Sequence, residues 1–395
     1  MTICIKERYF SFNRISLLAI GLWPYQQSTF AQIQMVFIFG ILISFITFQL
    51  SRLLFVEWTL NFTLKMLSIA SLFTIYAIKY ITTWINIETI RYLLERLQHI
   101  YNELKDKNEI AIYEKYGNTA KRLTINLLIV DISILSVGFV MEIWPYIFDV
   151  IMPKNETYAR HLIILMCKYY SIEEKYYYYI ILHASAATAV GVFALAAIGT
   201  IMISCIKYIC GMFKIASYRL ERAMTITNTL QNISLKNEFV ICKEIIHAVD
   251  IHRKAMEFTE YLVSNFEKSY AFMIGIAVFC VSLNLYRVSR IEPMKDKEET
   301  VVHVAITFFT LFYIFIANNV GQEIIDNNNH VFFTAYNIPW YLAPLQIQKL
   351  ILFLLQRSSK AFTLNFQGLF IASLECFASL ASASVSYFTI MYSVA

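Results

Sequence analysis

The sequence predicts an all-α, polytopic membrane protein with seven transmembrane helices, and three observations carry that expectation. Charged residues make up 15% of the chain and hydrophobic residues 58%, with a mean hydropathy of +0.55, whereas a soluble domain carries about 25% charged residues. Seven stretches are apolar over the roughly 20 residues that a helix needs to cross a hydrocarbon core. They are 31–53, 64–85, 124–148, 179–208, 266–289, 300–320 and 366–393. Backbone groups find no water partner in lipid, so stretches of this length close their hydrogen bonds as helices.

Four regions follow along the chain. Residues 1–30 carry Lys6, Arg8 and Arg14 ahead of a short apolar run, 15–23, which Pro24 ends. No small-residue cleavage site follows, so the segment reads as amphipathic and interfacial rather than as a signal peptide. Residues 31–320 form a six-helix bundle with helical extensions beyond the membrane. In 86–122, Ile87, Ile90, Leu93, Leu94, Leu97, Ile100, Tyr101 and Leu104 recur at three- and four-residue spacing among charged residues. That pattern predicts an amphipathic helix extending the second span. Residues 209–265 place Leu220, Ile241, Ile245, Ile246, Val249, Met256 and Leu262 on broken stripes of the same kind. Residues 321–365 hold a further helix between Pro344 and Arg357, too short to span. Residues 366–395 are the last span, with Glu375 as its single charge.

Seven spans put the termini on opposite sides. Most Lys and Arg fall on the N-terminal side, but its loops are longer, so the charge density of the two sides is nearly equal. The sequons at Asn61 and Asn155 fall on the other side, which makes them glycosylation candidates and favours a cytoplasmic N-terminus and an extracellular C-terminus. A third sequon, at Asn232, is silent in that orientation.

Composition and motifs exclude several classes. A net charge of +5, scattered along the chain, gives no basis for nucleic-acid binding. The 7 cysteines show no CxxC or Cys/His spacing, so no metal, cofactor or disulfide framework is expected. GxSxG, HExxH, Walker and GxGxxG motifs are absent, and an enzyme is not indicated. His247 and His252 lie five apart and share no helix face. Polar residues inside spans often mark pathways. Lys65 and Lys79 flank the second span and are expected to snorkel. Asp131, Glu142 and Glu375 lie near span ends, Glu375 being the most suggestive of a pathway.

A bundle this aromatic suits a small-molecule pocket, apolar with a few placed polar groups. The outer halves of the spans offer as ligand-binding candidates Met66, Ile69 and Phe73; Gly138, Phe139, Met141 and Trp144; Tyr178, His183, Ser185 and Thr188; Ser282 and Tyr286; and His303, Thr307 and Phe308. Each alone is also an ordinary helix-packing residue. In the last span, a turn of about 100° per residue places Cys376, Ala383, Tyr387, Ile390 and Val394 on one face, with Ser379 and Ser386 nearby. Small and weakly polar residues with a branched apolar pair at i and i+4 suit a constriction that gates by dewetting. Tight helix packing through small residues explains the pattern equally well.

Particular residues favour the first reading. Gly21-Leu22-Trp23-Pro24 stands near the N-terminus. Ala335-Tyr336-Asn337-Ile338-Pro339-Trp340-Tyr341 is followed by Gln348-Lys349 and by Arg357-Ser358-Ser359-Lys360. The last span contains Ser373-Leu374-Glu375-Cys376-Phe377 and Ser384-Val385-Ser386-Tyr387-Phe388-Thr389. In order and spacing these elements resemble the insect odorant receptor family across the whole chain. The gustatory relatives share the plan, but the ending usual for them is missing here.

The resemblance implies a ligand-gated, non-selective cation channel in the plasma membrane of olfactory sensory neurons. Four subunits surround a pore lined by the last helix, and a volatile ligand binds in the outer half of the bundle. It implies a gate at Ile390 and Val394, with Ser393 between them and Ala383 and Tyr387 further in. It also implies an intersubunit anchor that includes Tyr336, Trp340, Tyr341, Gln348 and Lys349. The chain looks like an odorant-specific subunit, whose implied partners are the co-receptor in a heterotetramer, membrane lipid and an odorant, with no G protein. The co-receptor has a longer insertion between spans four and five, and Gln and Lys where this chain has Ser393 and Ala395. A G-protein-coupled receptor of opposite topology is the rival reading, but this chain lacks the Asp-Arg-Tyr at the end of span three and the Asn-Pro-x-x-Tyr in span seven that it calls for.

Overall fold

The computed structural model describes residues 4–26, 28–55, 59–151, 176–229, 235–290, 297–358, 362–366 and 368–394. Two short helices, α1 (Ile5–Arg8) and α2 (Ser11–Ala19), precede the first span, α3 (Thr29–Phe55). Then come α4 (Leu60–Ile85), α5 (Ile87–Glu103), α6 (Lys107–Ile151), α7 (Tyr177–Thr229), α8 (Leu235–Arg290) and α9 (Lys297–Asn337). A 3-10 turn (Trp340–Leu342), α10 (Leu345–Ser358), a two-stranded hairpin of β1 (Asn365–Phe366) and β2 (Phe370–Ile371), and α11 (Leu374–Val394) complete the described elements. Seven of the helices are long and apolar enough to cross a membrane: α3, α4, α6, α7, α8, α9 and α11.

The middle spans continue well past any bilayer. Helices α6, α7, α8 and α9 have 45, 53, 56 and 41 residues, about 60–85 Å each at 1.5 Å per residue, against a core of about 30 Å. Their surplus lies on the side that holds the N-terminus, here called proximal; the side of the C-terminus is distal. In the proximal layer Leu93, Leu94 and Leu97 of α5 are buried, as are Ile209 and Phe213 of α7, Ile241 and Ile245 of α8, and Ile347 and Ile351 of α10, all in one continuous core. Ion pairs rim it. Arg219 grips Glu109 through two bonds of 2.7 and 2.8 Å, and Arg222 bridges Asp106 and Glu244. The Asp106 carboxyl, which accepts from the Asn108 N–H at 3.0 Å and lies against Tyr218 and Arg222, is held below its ordinary range.

Three sequence expectations change. The amphipathic stretch 86–122 is not a straight continuation of the second span. Asn86 ends α4, its side chain donating to the Thr82 carbonyl at 2.9 Å. Leu104 is extended, and α6 restarts with Asp106 accepting from the Asn108 backbone, so the stretch divides between α5 and the start of α6. The N-terminal segment does not merely lie on the membrane surface. Ile5, Phe10 and Leu17 are buried, Phe10 stacks on Tyr208 at 5.5 Å, and the Tyr80 hydroxyl donates to the Ile20 carbonyl at 2.7 Å. Burial pushes the Tyr9 phenol up to about 12. Finally, the last span starts at Leu374 rather than 366. Asn365 pairs with Ile371 and Phe366 with Phe370 in the hairpin, whose turn needs Gly368 at φ +72°. The Asn365 side chain accepts from the Gly368 N–H at 2.9 Å.

Candidate ligand pocket and pore helix

In the distal half, α3, α4 and α7 meet around an aromatic cluster. Phe45 of α3 lies 4.5 Å from Phe73 of α4 and 5.4 Å edge-on from His183 of α7. Phe73 in turn meets Tyr76 at 5.6 Å. Ser44 Oγ and His183 Nε2 are 2.9 Å apart. Met66 and Ile69 are buried further toward the distal end of α4. One turn beyond Phe45, Gln49 is fully buried, and among the described residues neither atom of its amide has a hydrogen-bond partner. An unmet amide in an apolar setting costs about 1–3 kcal/mol per group, which a ligand bearing a polar atom would recover.

A second buried group sits between α4, α8 and α9. Glu299 pairs with Arg287 and lies 3.5 Å from Lys65. His303 Nδ1 and Asn284 Oδ1 are 2.7 Å apart, and Thr307 donates to the His303 carbonyl at 2.9 Å. The Ser282 hydroxyl reaches the Ser384 carbonyl of α11 at 2.9 Å. The candidates therefore divide. Ile69, Phe73 and His183 join the aromatic cluster, Met66 is buried on the same helix as Phe73, and Ser185 is partly buried on α7. Ser282, Tyr286, His303 and Thr307 are buried in the polar seam.

The structure does not bring the others in. Phe139 is 60% exposed, Tyr178 63% and Phe308 60%, and Gly138 and Thr188 are exposed too. Ile132, Val137 and Val140, beside Gly138 and Phe139 on α6, are exposed as well, and Phe308 stacks on Phe312 at 6.2 Å. The side chains of Met141, Trp144, Val394 and Asn61 lie outside the described residues, as does Asn155 altogether. Lys65 and Lys79 do not snorkel: Lys65 faces Glu299, and Lys79 is buried against Tyr270.

Helix α11 is held by one side only. Leu380 and Ser384 are buried toward the bundle, and Phe377 meets Phe315 of α9 at 5.3 Å. On the opposite side Glu375, Ser379, Ser382, Ser386, Thr389, Ile390 and Ser393 form one exposed stripe. Tyr387 and Ile390 are each 57% exposed, Tyr387 on the flank of that stripe, while Ala383 is half-buried. The free face is thus turned somewhat toward the serines from the one that periodicity selects, and Ser382 and Thr389 belong to it.

The start of α11 is clasped by α9. The Asn318 side chain accepts from the Ser373 N–H at 3.2 Å, and Gln322 accepts from the Leu374 N–H at 3.3 Å. Ser373 caps the helix by accepting from the Cys376 N–H at 3.2 Å. Between the two amide side chains, Gly321 lets Ala372 approach so closely that a Cβ there would lie 2.9 Å from the Ala372 carbonyl carbon. On the proximal face, Tyr336, Tyr341, Leu342, Leu345, Leu352 and Phe353 are exposed. Trp340 is half-buried and Lys349 exposed, while Gln348 donates to the Ala343 carbonyl at 2.8 Å and so fixes the turn. An exposed apolar patch of this kind marks an association surface.

These features define a class: a multi-pass, seven-helix membrane protein with a helical layer on one side and a last helix free along one face. A sequence model of the 7tm odorant receptors matches residues 59–385, and the chain belongs to that family. It is 24% identical over 163 residues to the odorant receptor coreceptor of Aedes aegypti and 21% identical over 159 residues to that of Anopheles gambiae. Each match covers 40% of this chain and 33% of the coreceptor. Among solved structures, the olfactory receptor OR5 of Machilis hrabei in complex with eugenol superposes with a TM-score of 0.73 at 16% identity, covering 98% of this chain and 97% of that one. The same receptor in a second structure gives 0.73 at 15% identity, covering 98% of each chain. At such identities the likeness shows the fold.

Proposed function

We propose that this chain is an odorant-specific subunit of a ligand-gated, non-selective cation channel. It assembles with the odorant receptor co-receptor as a heterotetramer, with the proximal layer in the cytoplasm of an olfactory sensory neuron. The observation that carries this reading is the free face of α11. A hydroxyl-rich stripe has no use against lipid, yet suits a wet pore built from four such helices. Ile390, flanked by Ser393 and Val394, is the constriction. The exposed patch from Tyr336 to Phe353 is the anchor between subunits. The four segments 1–30, 31–320, 321–365 and 366–395 then serve as docked N-terminus, ligand-binding bundle, anchor and pore.

The ligand is a volatile with an apolar body for Phe45, Phe73 and Tyr76 and one oxygen for Gln49. Machilis hrabei OR5 was solved in complex with eugenol, whose apolar body carries a hydroxyl and a methoxy oxygen, and eugenol belongs in the first panel tested. A ligand that buries about 100 Å² more apolar surface in one arrangement than in the other favours it by about 2.5 kcal/mol, roughly 60-fold. The test is whole-cell current from the chain with and without the co-receptor across a panel of alcohols, esters and phenols. Ile390→Ser and Val394→Ser should raise basal current. Unchanged currents in both at normal surface expression remove the gate, and an N-terminal epitope accessible on intact cells removes the channel reading.

A further inference from the structure

Beyond the clasp, a second route runs from the bundle to α11 through Lys79. This residue lies on α4 six positions proximal to Phe73, about 9 Å along the helix, and is only 3% exposed. Its ammonium donates to the Tyr270 hydroxyl of α8 and lies 4.1 Å from the centre of the same ring. The Tyr313 hydroxyl of α9 is a second group within its reach. Among the described residues no carboxylate pairs with it. Tyr270 in turn stacks on Phe366 at 5.5 Å and 26°. Phe366 belongs to β1, the first strand of the hairpin that delivers the chain into α11.

A buried ammonium without a carboxylate is costly inside a membrane bundle. A methionine of similar length would fill the space without that cost, so the charge has a use other than stability. The geometry suggests what it is. Helix α4 carries both the aromatic floor of the ligand cluster and, less than two turns away, the cation that pins α8 and α9. The ring that receives this cation is the one on which the hairpin rests.

We propose that Lys79 is a positioning residue for gating, its ammonium carrying displacement of α4 through Tyr270 and Phe366 to the start of α11. The inference rests on the channel reading above. Its test compares Lys79→Met, Tyr270→Phe and the double variant with wild type, each expressed with the co-receptor. Surface-normalised basal current and the half-maximal concentration of an agonist active on wild type are measured. Tyr270→Phe keeps the ring and its stack on Phe366, so it removes the bond and little else. Each single variant should shift one of these readouts by at least about 5-fold, and the double variant no further than the larger single effect.

Purified Lys79→Met should melt no lower than wild type, yet its backbone amides at 362–373 should exchange hydrogen faster. A structural role alone predicts lower surface levels and melting temperature with both current readouts unchanged, and that result overturns the proposal. Additive shifts in the double variant overturn it too. Absence of current from wild type with the co-receptor would remove the channel reading and the gating role with it. The exchange measurement would still show whether Lys79 holds the hairpin, so the two failures are told apart.

Discussion

Gly321→Ala is the smallest change that tests whether the clasp sets the position of the pore helix. The added methyl carbon would lie 2.9 Å from the Ala372 carbonyl carbon and closer still to its oxygen and Cβ. Carbon atoms pack best at about 3.5–4.0 Å. Two of the three opposing atoms are backbone, so no rotamer relieves the overlap and α9 and the hairpin must part by about 1 Å. At that separation the Asn318–Ser373 and Gln322–Leu374 hydrogen bonds, now 3.2 and 3.3 Å, are stretched past usefulness. Their loss at about 1 kcal/mol each, or the equivalent strain if they hold, gives about 2–3 kcal/mol against the present seating of α11. That shifts the equilibrium with any arrangement in which α11 has left its seat by about 30-fold or more. The assay is the ratio of basal to maximal current, with the melting temperature of the purified protein beside it. Gly275→Ala on α8 is the control, since a Cβ there meets nothing within 4 Å. If Gly321→Ala behaves like Gly275→Ala in both measurements, the clasp does not position the pore helix.

Other perturbations follow from the same geometry. Phe73→Ala removes the ring 4.5 Å from Phe45 and should cost about 3 kcal/mol, the low end for such a truncation because lipid is its alternative environment; thermal unfolding and a loss of agonist potency check it. Gln49→Leu removes two unmet polar atoms, so it should raise the melting temperature while weakening responses to oxygen-bearing ligands more than to matched hydrocarbons. For Asp106, whose folded pKa is lowered, the stabilisation is present above the unfolded carboxyl value of about 3.9 and is lost as pH falls through the folded one. Melting temperature should therefore drop with acid below about pH 4, and Asp106→Asn should flatten that part of the profile.

The spans were legible because length and hydropathy are properties of single segments. The face of α5 was legible as well, since outside the membrane the contrast between apolar and charged residues returns. In contrast, α10 was legible only as a helix, because Leu345, Leu352 and Phe353 leave its exposed side apolar too. Helix α3 gave no such contrast. Its apolar residues run all round, so nothing in its pattern singled out Ser44, Phe45 or Gln49, which became distinctive only against Phe73 and His183. The hairpin before α11 was missed although Asn365 and Gly368 signalled it, because the apolar residues around them read equally well as helix. Lys79 shows the third kind of failure. Snorkelling was a sound local reading, and only the contact with Tyr270, 191 positions away, shows that its amine turns inward. Likewise Asn318, Gly321 and Gln322 sit at i, i+3 and i+4 on α9, a spacing that means little until the start of α11 is laid across it.

If the free face of α11 lines an aqueous pore, cysteines placed along it are open to reagents in water. Single cysteines at Ser382, Ser386, Ile390 and Ser393 on the free face, and at Leu380 and Ser384 on the buried face, would be expressed with the co-receptor and exposed to a charged, water-soluble thiol reagent during agonist-evoked current. Modification should change the current at the free-face positions and leave the two buried positions silent. Modification confined to Leu380 and Ser384, or none at any position in a channel that conducts, would contradict a pore at this face.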